Sequence, residues 1–397
     1  MVIAVLLVSL VASLVLSGAG LWAVRRLLAQ PVPVPASFPP ITVLKPLKGI
    51  DGGLYENLSS IVHQDYPDFE VIFGIEDPDD PAVEVALRVK NENPQVRIRL
   101  ATGAPLVGMN PKVNNLLHMV RYARHDYVLI SDSNVRVGSD YLKALAGELA
   151  DPAVGLVHSV LVGQGGDTLG SLLENLQMNT VTVYGASGME HFTGLPLVIG
   201  KSMLLKLSNL ERVGGLLGVA NLLAEDYVLG RRFHAAGFKV RLSPYRIGVV
   251  NAGWGLARFI NRQLRWSQMR RNLTPLTYLF EPMMITWIWS ALLIPAALLA
   301  DLPALARGAI VAVALVATMA RFALESRQIA RLRGWPITLR ELACIPLKDL
   351  LMLMVWAAGF AKRTIDWRGT QALIGRGTVL TPIAVAADER ASVESVL

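Results

Sequence analysis

Tyr127-Val128-Leu129-Ile130, followed at once by Ser131-Asp132-Ser133-Asn134, is the stretch on which the fold turns. Four apolar or aromatic residues in a row read as a short buried strand, and a carboxylate arrives directly at its end. Upstream, Glu70-Val71-Ile72-Phe73-Gly74-Ile75 repeats the pattern and runs into Glu76-Asp77-Pro78-Asp79-Asp80, while Ile41-Thr42-Val43-Leu44 opens the series. Downstream, Gly155-Leu156-Val157-His158-Ser159 is a further strand. Between them, Glu56 to Gln64 and Val113 to Tyr122 read as helices. Strands alternating with helices predict an α/β domain over residues 41–255 with a mostly parallel, doubly wound sheet. Ligands of such sheets sit at the carboxyl ends of strands, and two of the acidic clusters lie there.

The flanks are of another kind. Residues 2–24 carry no charge and Arg25-Arg26 come next, so residues 1–26 read as a membrane anchor. A cleaved signal peptide would carry its positive charge before a shorter apolar core. The positive-inside rule puts the chain from residue 25 onward in the cytoplasm. Residues 27–40, with Pro31-Val32-Pro33-Val34-Pro35, form a stiff spacer. Residues 256–280 read as an amphipathic interfacial helix with Arg258, Arg262, Arg265 and Trp266 on one face and Leu256, Ile260 and Leu264 on another. That helix suits anionic lipid, or its arginines clamp a diphosphate; both can hold. Residues 281–363 supply C-terminal transmembrane or interfacial helices. Met283 to Ala300 is one span, Gly308 to Leu324 a shorter one returning as a hairpin, and Leu342 to Ala361 a third that carries Lys348 and Asp349. Those two charges are costly in hydrocarbon and call for a pairing or an interfacial position. Residues 364–397 read as a cytoplasmic or flexible tail.

The composition agrees. The 397 residues are 53% hydrophobic and 17% charged, with net charge +7 and mean hydropathy +0.43. So apolar a chain is neither disordered nor an ordinary soluble enzyme, and its positive balance suits an anionic membrane or substrate better than nucleic acid. The lone Cys344 excludes an internal disulfide framework and a cysteine metal cluster. Arginine outnumbers lysine 28 to 10, in keeping with a bacterial source. An integral, multi-pass protein of the bacterial inner membrane, with its soluble domain in the cytoplasm, is expected.

Three acidic motifs admit chemistry beside plainer readings. The cluster at Asp77 is a solvated turn, or it accepts hydrogen bonds from a nucleotide base or ribose. Asp132 is a helix cap or Asx-turn, or, with Asn134 two residues on, it holds Mg²⁺ or Mn²⁺ beside substrate phosphates. Glu225-Asp226 opens a helix through Arg232, where the dipole favours acids, or it supplies a general base for a hydroxyl nucleophile.

In their order, these stretches resemble the ceramide glucosyltransferase family of membrane-bound, inverting GT-A glycosyltransferases. The resemblance covers about residues 41–380 and rests on Leu44-Lys45-Pro46-Leu47-Lys48-Gly49, Gln64-Asp65-Tyr66-Pro67, Gly108 to Leu116, Asp132 to Val137, Gly155 to His158, Ala224 to Tyr227, Arg262-Gln263-Leu264-Arg265-Trp266 and Trp367-Arg368-Gly369. The resemblance implies a GT-A (Rossmann-like) catalytic domain with α-helical transmembrane segments. It further implies Asp77 on the uracil–ribose end of the donor, Lys112 near the same nucleotide and Asp132 as the metal acid. Asp226 would be the catalytic base, with Arg265 and Trp266 at the leaving diphosphate and acceptor mouth and Arg262 in support. Asn134 stands where the family's second metal acid would be. His191 and Lys201 lie in or beside a loosely matching stretch and receive no role.

The implied reaction moves a hexose, glucose foremost, from a UDP-sugar to the headgroup hydroxyl of a membrane lipid. Ceramide is the favoured acceptor, with a bacteriohopanetetrol-type hopanoid as the rival. A processive polysaccharide synthase would need more spans. A membrane sugar-nucleotide-binding protein without turnover, or a transporter, fits less well, because every residue expected to do chemistry is present and intramembrane charge is sparse.

Overall fold

The computed structural model describes residues 1–367 and 369–383. Helix α1 (Val2–Leu28) leads through the proline-rich spacer to β1 (Ile41–Leu47), α2 (Leu54–Val62), β2 (Phe69–Ile75), α3 (Ala82–Glu92) and β3 (Arg97–Thr102). Then come α4 (Pro111–Val120), β4 (Tyr127–Ser131), the two-residue β5 (Val135–Arg136), α5 (Tyr141–Glu148) and β6 (Val154–Gln164). Helices α6 (Leu169–Gln177) and α7 (Val183–Thr193) flank a π-helical turn and precede β7 (Ser202–Lys206), α8 (Leu207–Arg212), α9 (Glu225–Ala235) and β8 (Lys239–Val250).

The eight strands form one sheet in the order β3-β2-β1-β4-β7-β6-β8-β5. β1 runs parallel to β2 and β4, β2 to β3, and β6 to β8. β7 is antiparallel to β4 and β6, and β5 to β8. Val43, Phe73 and Leu129 face one core and Leu44, Ile72 and Ile130 the other. Both faces are therefore covered, which is why these strands read as unbroken apolar runs. The reversed β7 brings its start, Ser202, beside Ser131 at the end of β4.

Helices α10 (Leu256–Leu273), α11 (Pro275–Leu279), α12 (Thr286–Leu299), α13 (Ala304–Arg333) and α14 (Leu339–Ala361) complete the helical part. Among the described residues α1, α13 and α14 are long and apolar enough to cross a membrane. The expected first span of the hairpin is shorter than read: α12 has 14 residues, with Pro295 inside it. The second is longer, for α13 starts at Ala304 and continues past Leu324 to Arg333 over 30 residues, about 45 Å at 1.5 Å per residue. Arg321 does not end it because its guanidinium meets Glu325 at 2.5 Å, one turn on. Lys348 and Asp349 pair at 2.9 Å, and Lys348 also lies 3.7 Å from Glu325. Trp287 Nε1 donates to Asp349 Oδ2 at 3.0 Å. Burial of these charges is thus matched by mutual pairing between α13 and α14, as such charges require.

Two expectations are corrected. Helix α10 buries Phe259, Arg262, Gln263, Ser267 and Gln268 rather than its Leu256–Ile260–Leu264 stripe, and it packs on α6 and α14. It forms a wall of the interior. Residues 364–381, read as the start of a tail, form a small antiparallel sheet of β9 (Thr364–Trp367), β10 (Thr370–Ile374) and β11 (Leu380–Thr381). Its Ile365, Ala372 and Leu380 pack with Leu223 next to α9, and Leu223 N donates to Thr378 O at 2.9 Å. Arg368 and the tail from residue 384 lie outside the described residues.

Candidate active site

The ends of β1, β2 and β4, the start of β7 and the first turns of α4 and α9 meet in a crevice of about 460 Å³. Each acid arrives by local rule. Asp132 comes directly after β4. Asn110 caps α4, its Oδ1 accepting from Val113 N at 3.1 Å with Pro111 in the first turn, and this sets Lys112 at the helix start. Glu225 and Asp226 occupy the first turn of α9, where the dipole favours negative charge.

At the centre, Lys112 Nζ lies 3.0 Å from Asp132 Oδ1 and 3.1 Å from Glu225 Oε1, and donates to Gly200 O at 3.0 Å. Lys201 Nζ lies 2.8 Å from Asp132 Oδ2 and donates to Asn134 Oδ1 at 2.9 Å. Burial alone would raise the Asp132 carboxyl, but Lys112 and Lys201 hold it well below the usual range. Burial likewise opposes charge on Lys112, yet Asp132, Glu225 and Asp226 raise it above an ordinary lysine. Lys45 is wholly buried beneath the site and donates to Asp132 O at 2.8 Å and Val135 O at 3.2 Å, pinning the loop. Burial pushes its ammonium down to about 7, with Asp132 working against it.

Asp226 Oδ2 accepts from Gly200 N at 2.5 Å and Oδ1 from Tyr227 N at 2.8 Å. Burial raises its pKa, while Lys112 and the two amides pull the other way. Glu225 is pushed up to about 7 by burial despite Lys112. Gly200 must lack a side chain: a Cβ there would stand 2.9 Å from both Asp226 Oδ2 and Lys112 Nζ.

The opposite wall is cationic and aromatic. Arg262 lies between Trp254 and Trp266, 5.0 and 4.5 Å from their ring centres, and 3.5 Å from Glu174. Arg258 stacks on Trp254 at 4.4 Å and pairs with Asp51 at 3.1 Å. Arg265 stands 5.5 Å over Trp367, which the small sheet brings in beside Asp366.

A second cavity, of about 490 Å³, adjoins the first. Its walls are mainly apolar and come from α1, α7, α14, the turn that precedes α12 and the far side of α10; Leu16, Gly188, Met189, Ile285 and Trp356 are representative. Ile199, Asp226, Trp266 and Met269 line both cavities.

Six of the seven residues singled out from sequence therefore share the crevice: Lys112, Asp132, Asp226, Arg262, Arg265 and Trp266. Asp77 does not line it. Asp77 is exposed, because the turn at Pro78 directs its carboxyl back to its own loop, where Oδ1 accepts from Asp79 N at 2.9 Å; Glu76 is the acid of that loop that lines the crevice. His191 stands apart with Trp22 and Phe192. Lys201 and Lys45, named above without a role, and Trp254, not named there, also belong to the site. The available signal for Lys201 was a lone base immediately before the apolar run Ser202-Met203-Leu204-Leu205.

The model of the family described as Glycosyl transferase family 21 matches residues 3–380. The chain belongs to glycosyl transferase family 21. It is 29% identical over 251 residues to ceramide glucosyltransferase 3 of Caenorhabditis elegans, covering 62% of this chain and 54% of that protein. It is 28% identical over 308 residues to the ceramide glucosyltransferase of Komagataella phaffii, covering 63% and 60%. The chain thus spans little more than half the length of these relatives. A mannosyltransferase from Pyrobaculum calidifontis, solved with GDP-Man and Mn²⁺, superposes with a TM-score of 0.55 at 20% identity, covering 91% of this chain and 99% of that one. That likeness bears out the expected GT-A fold of this family 21 chain.

A divalent cation fits the crevice on the chemistry of its donors. Asp132 and Asn134 offer two hard oxygens facing one point, and Mg²⁺ characteristically takes one or two carboxylates with the rest from substrate phosphates and water.

Proposed function

We propose that this family 21 protein is an inverting glycosyltransferase that moves a hexose, glucose in the first place, from a UDP-sugar to the headgroup hydroxyl of a membrane lipid. The observation that carries the reading is the junction: a polar crevice lined by acids and bases alike and an apolar cleft framed by membrane-type helices meet at Asp226 and Trp266.

The donor lies in the crevice. Its nucleoside end sits along the β1 and β2 loops by Lys48, Glu76 and Asn115, and its diphosphate lies toward Asp132, Lys112, Lys201 and Arg265. Asp132 and Asn134 would hold a divalent cation, Mg²⁺ or Mn²⁺, which supplies charge neutralisation for the departing diphosphate. The remaining work falls to the chain. Arg265, beside Trp367, stabilises charge growing on the leaving group, an effect largest where water is excluded. Trp266 separates the two cavities and orients the acceptor. Asp226 takes the proton from the lipid hydroxyl as it attacks C1 opposite the phosphate. The C1–O(phosphate) bond breaks as the C1–O(lipid) bond forms, UDP leaves, and an α-linked donor gives a β-glycoside. The raised Asp226 makes a better base than an exposed carboxylate.

The apolar cleft supports a lipid acceptor. Each CH₂ kept out of water is worth about 0.8 kcal/mol, so a lipid is best processed without leaving apolar surroundings. The names of the relatives favour ceramide over a hopanoid. The reading extends to multi-pass insertion with the α/β domain on the cytoplasmic face of a bacterial inner membrane; α1, α13 and α14 support the insertion, and Arg25 and Arg26 at the end of α1 support the cytoplasmic side.

The test is lipid extraction and mass spectrometry after incubating the purified protein, in bilayer discs, with ceramide or hopanoid and a panel of UDP-sugars. A β-hexosylceramide is expected. A glycosylated hopanoid alone would replace the acceptor, and water-soluble polymer or no product would refute lipid transfer.

A further inference from the structure

Lys201 faces the proposed diphosphate site, but that role does not explain which partners its ammonium takes in this structure. It immediately precedes β7, the strand of the large sheet that runs antiparallel to both neighbours, and so faces the loop after β4. Its ammonium bridges the two oxygens nominated above for a cation, Asp132 Oδ2 at 2.8 Å and Asn134 Oδ1 at 2.9 Å. Lys112 takes the other Asp132 oxygen but is also fixed by Glu225 and by Gly200 O. Among the described residues the Lys201 ammonium is held by Asp132 and Asn134 alone. Its side chain is 13% exposed toward the crevice and stands on a flexible four-carbon stem.

Two like charges cannot both use one carboxylate oxygen and one amide oxygen at contact distance. We propose that Lys201 is a built-in stand-in for the divalent cation. With the donor absent its ammonium fills the seat between Asp132 and Asn134. With the donor present it turns to the incoming diphosphate and yields those oxygens. Metal and nucleotide then bind as a linked pair, each tightening the other by the same factor, and the crevice does not charge with metal alone. This inference rests on the proposed donor site and deepens it.

The test measures Mn²⁺ binding to the full-length protein in detergent or bilayer discs, by the paramagnetic resonance of free Mn²⁺, with and without UDP. Asp132→Asn defines the background from other sites. The wild type should bind Mn²⁺ poorly alone and well with UDP. Lys201→Met, with Lys201→Gln as a second variant, should bind Mn²⁺ alone about tenfold more tightly, as expected from removing a unit charge a few ångströms from the seat. The increment from UDP should shrink correspondingly. Equal Mn²⁺ affinity in wild type and both variants, or a wild-type affinity indifferent to UDP, overturns the proposal. Failure of UDP to bind with or without Mn²⁺ would instead overturn the donor site itself.

Discussion

The amide of Gly200 donates to Asp226 Oδ2 at 2.5 Å across 26 residues of sequence. One peptide unit thereby orients the proposed base, and the glycine's carbonyl accepts from Lys112. The contact works only without a side chain at position 200.

Gly200→Ala should therefore strike activity more than folding. The added methyl must displace Asp226 or Lys112, and a displacement of about 1 Å costs on the order of a hundredfold in rate. Steady-state kinetics beside a thermal melt would check this. A normal kcat would show that the peptide does not position the base.

The pH profile is set by the direction of the Asp226 shift. Its pKa is raised in the fold, so the base is lost as pH falls through a value above the ordinary aspartate range of about 4. The acid limb of kcat should lie correspondingly high. An acid limb at an ordinary aspartate position would contradict burial of an active base.

Much of this site was legible in the sequence, for a plain reason. Asp132 and Asp226 are fixed by local events, a strand end and a helix start, and both leave signatures within a few residues. Asp77 has the same signature, yet the Asx-turn to Asp79 points it away, and only the exact turn decides that. Lys201 receives no role from the sequence because its importance comes from the antiparallel placement of β7, a long-range fact. The helix α13 runs beyond the expected end at Leu324 to Arg333, and its polar, Arg-rich extension carries no apolar run that would mark it in the sequence. The small sheet of residues 364–381 escaped notice because its strands are short and its packing partner, Leu223, is remote in sequence.

The apolar cleft can be filled from within. Gly188 lines it, and a Cβ there would meet nothing closer than Phe192 at 4.0 Å. Gly188→Trp should raise KM for the lipid about tenfold or more, the worth of some 1.4 kcal/mol of lost binding, and leave UDP affinity unchanged. Isothermal titration with UDP and lipid-dependent kinetics would separate the two. An unaltered lipid KM would place the acceptor elsewhere.

His158 bears on stability rather than chemistry. It is buried in β6, neither ring nitrogen has a hydrogen-bond partner among the described residues, and burial pushes its pKa down to about 3. The unfolded chain, with an ordinary value of about 6.5, binds the proton first, so stability is full above that value and declines as pH falls toward about 3. His158→Leu should flatten the melting temperature over this window. An unchanged slope would mean that His158 finds a partner in solution.

The most direct measurement compares wild type with Asp226→Asn, tracking sugar transfer from labelled UDP-sugar to lipid and UDP binding on the same samples. Transfer should fall by about a thousandfold, within the range for a general base, while UDP affinity holds. Near-wild-type transfer by Asp226→Asn would contradict the claim that the two cavities meet at the base.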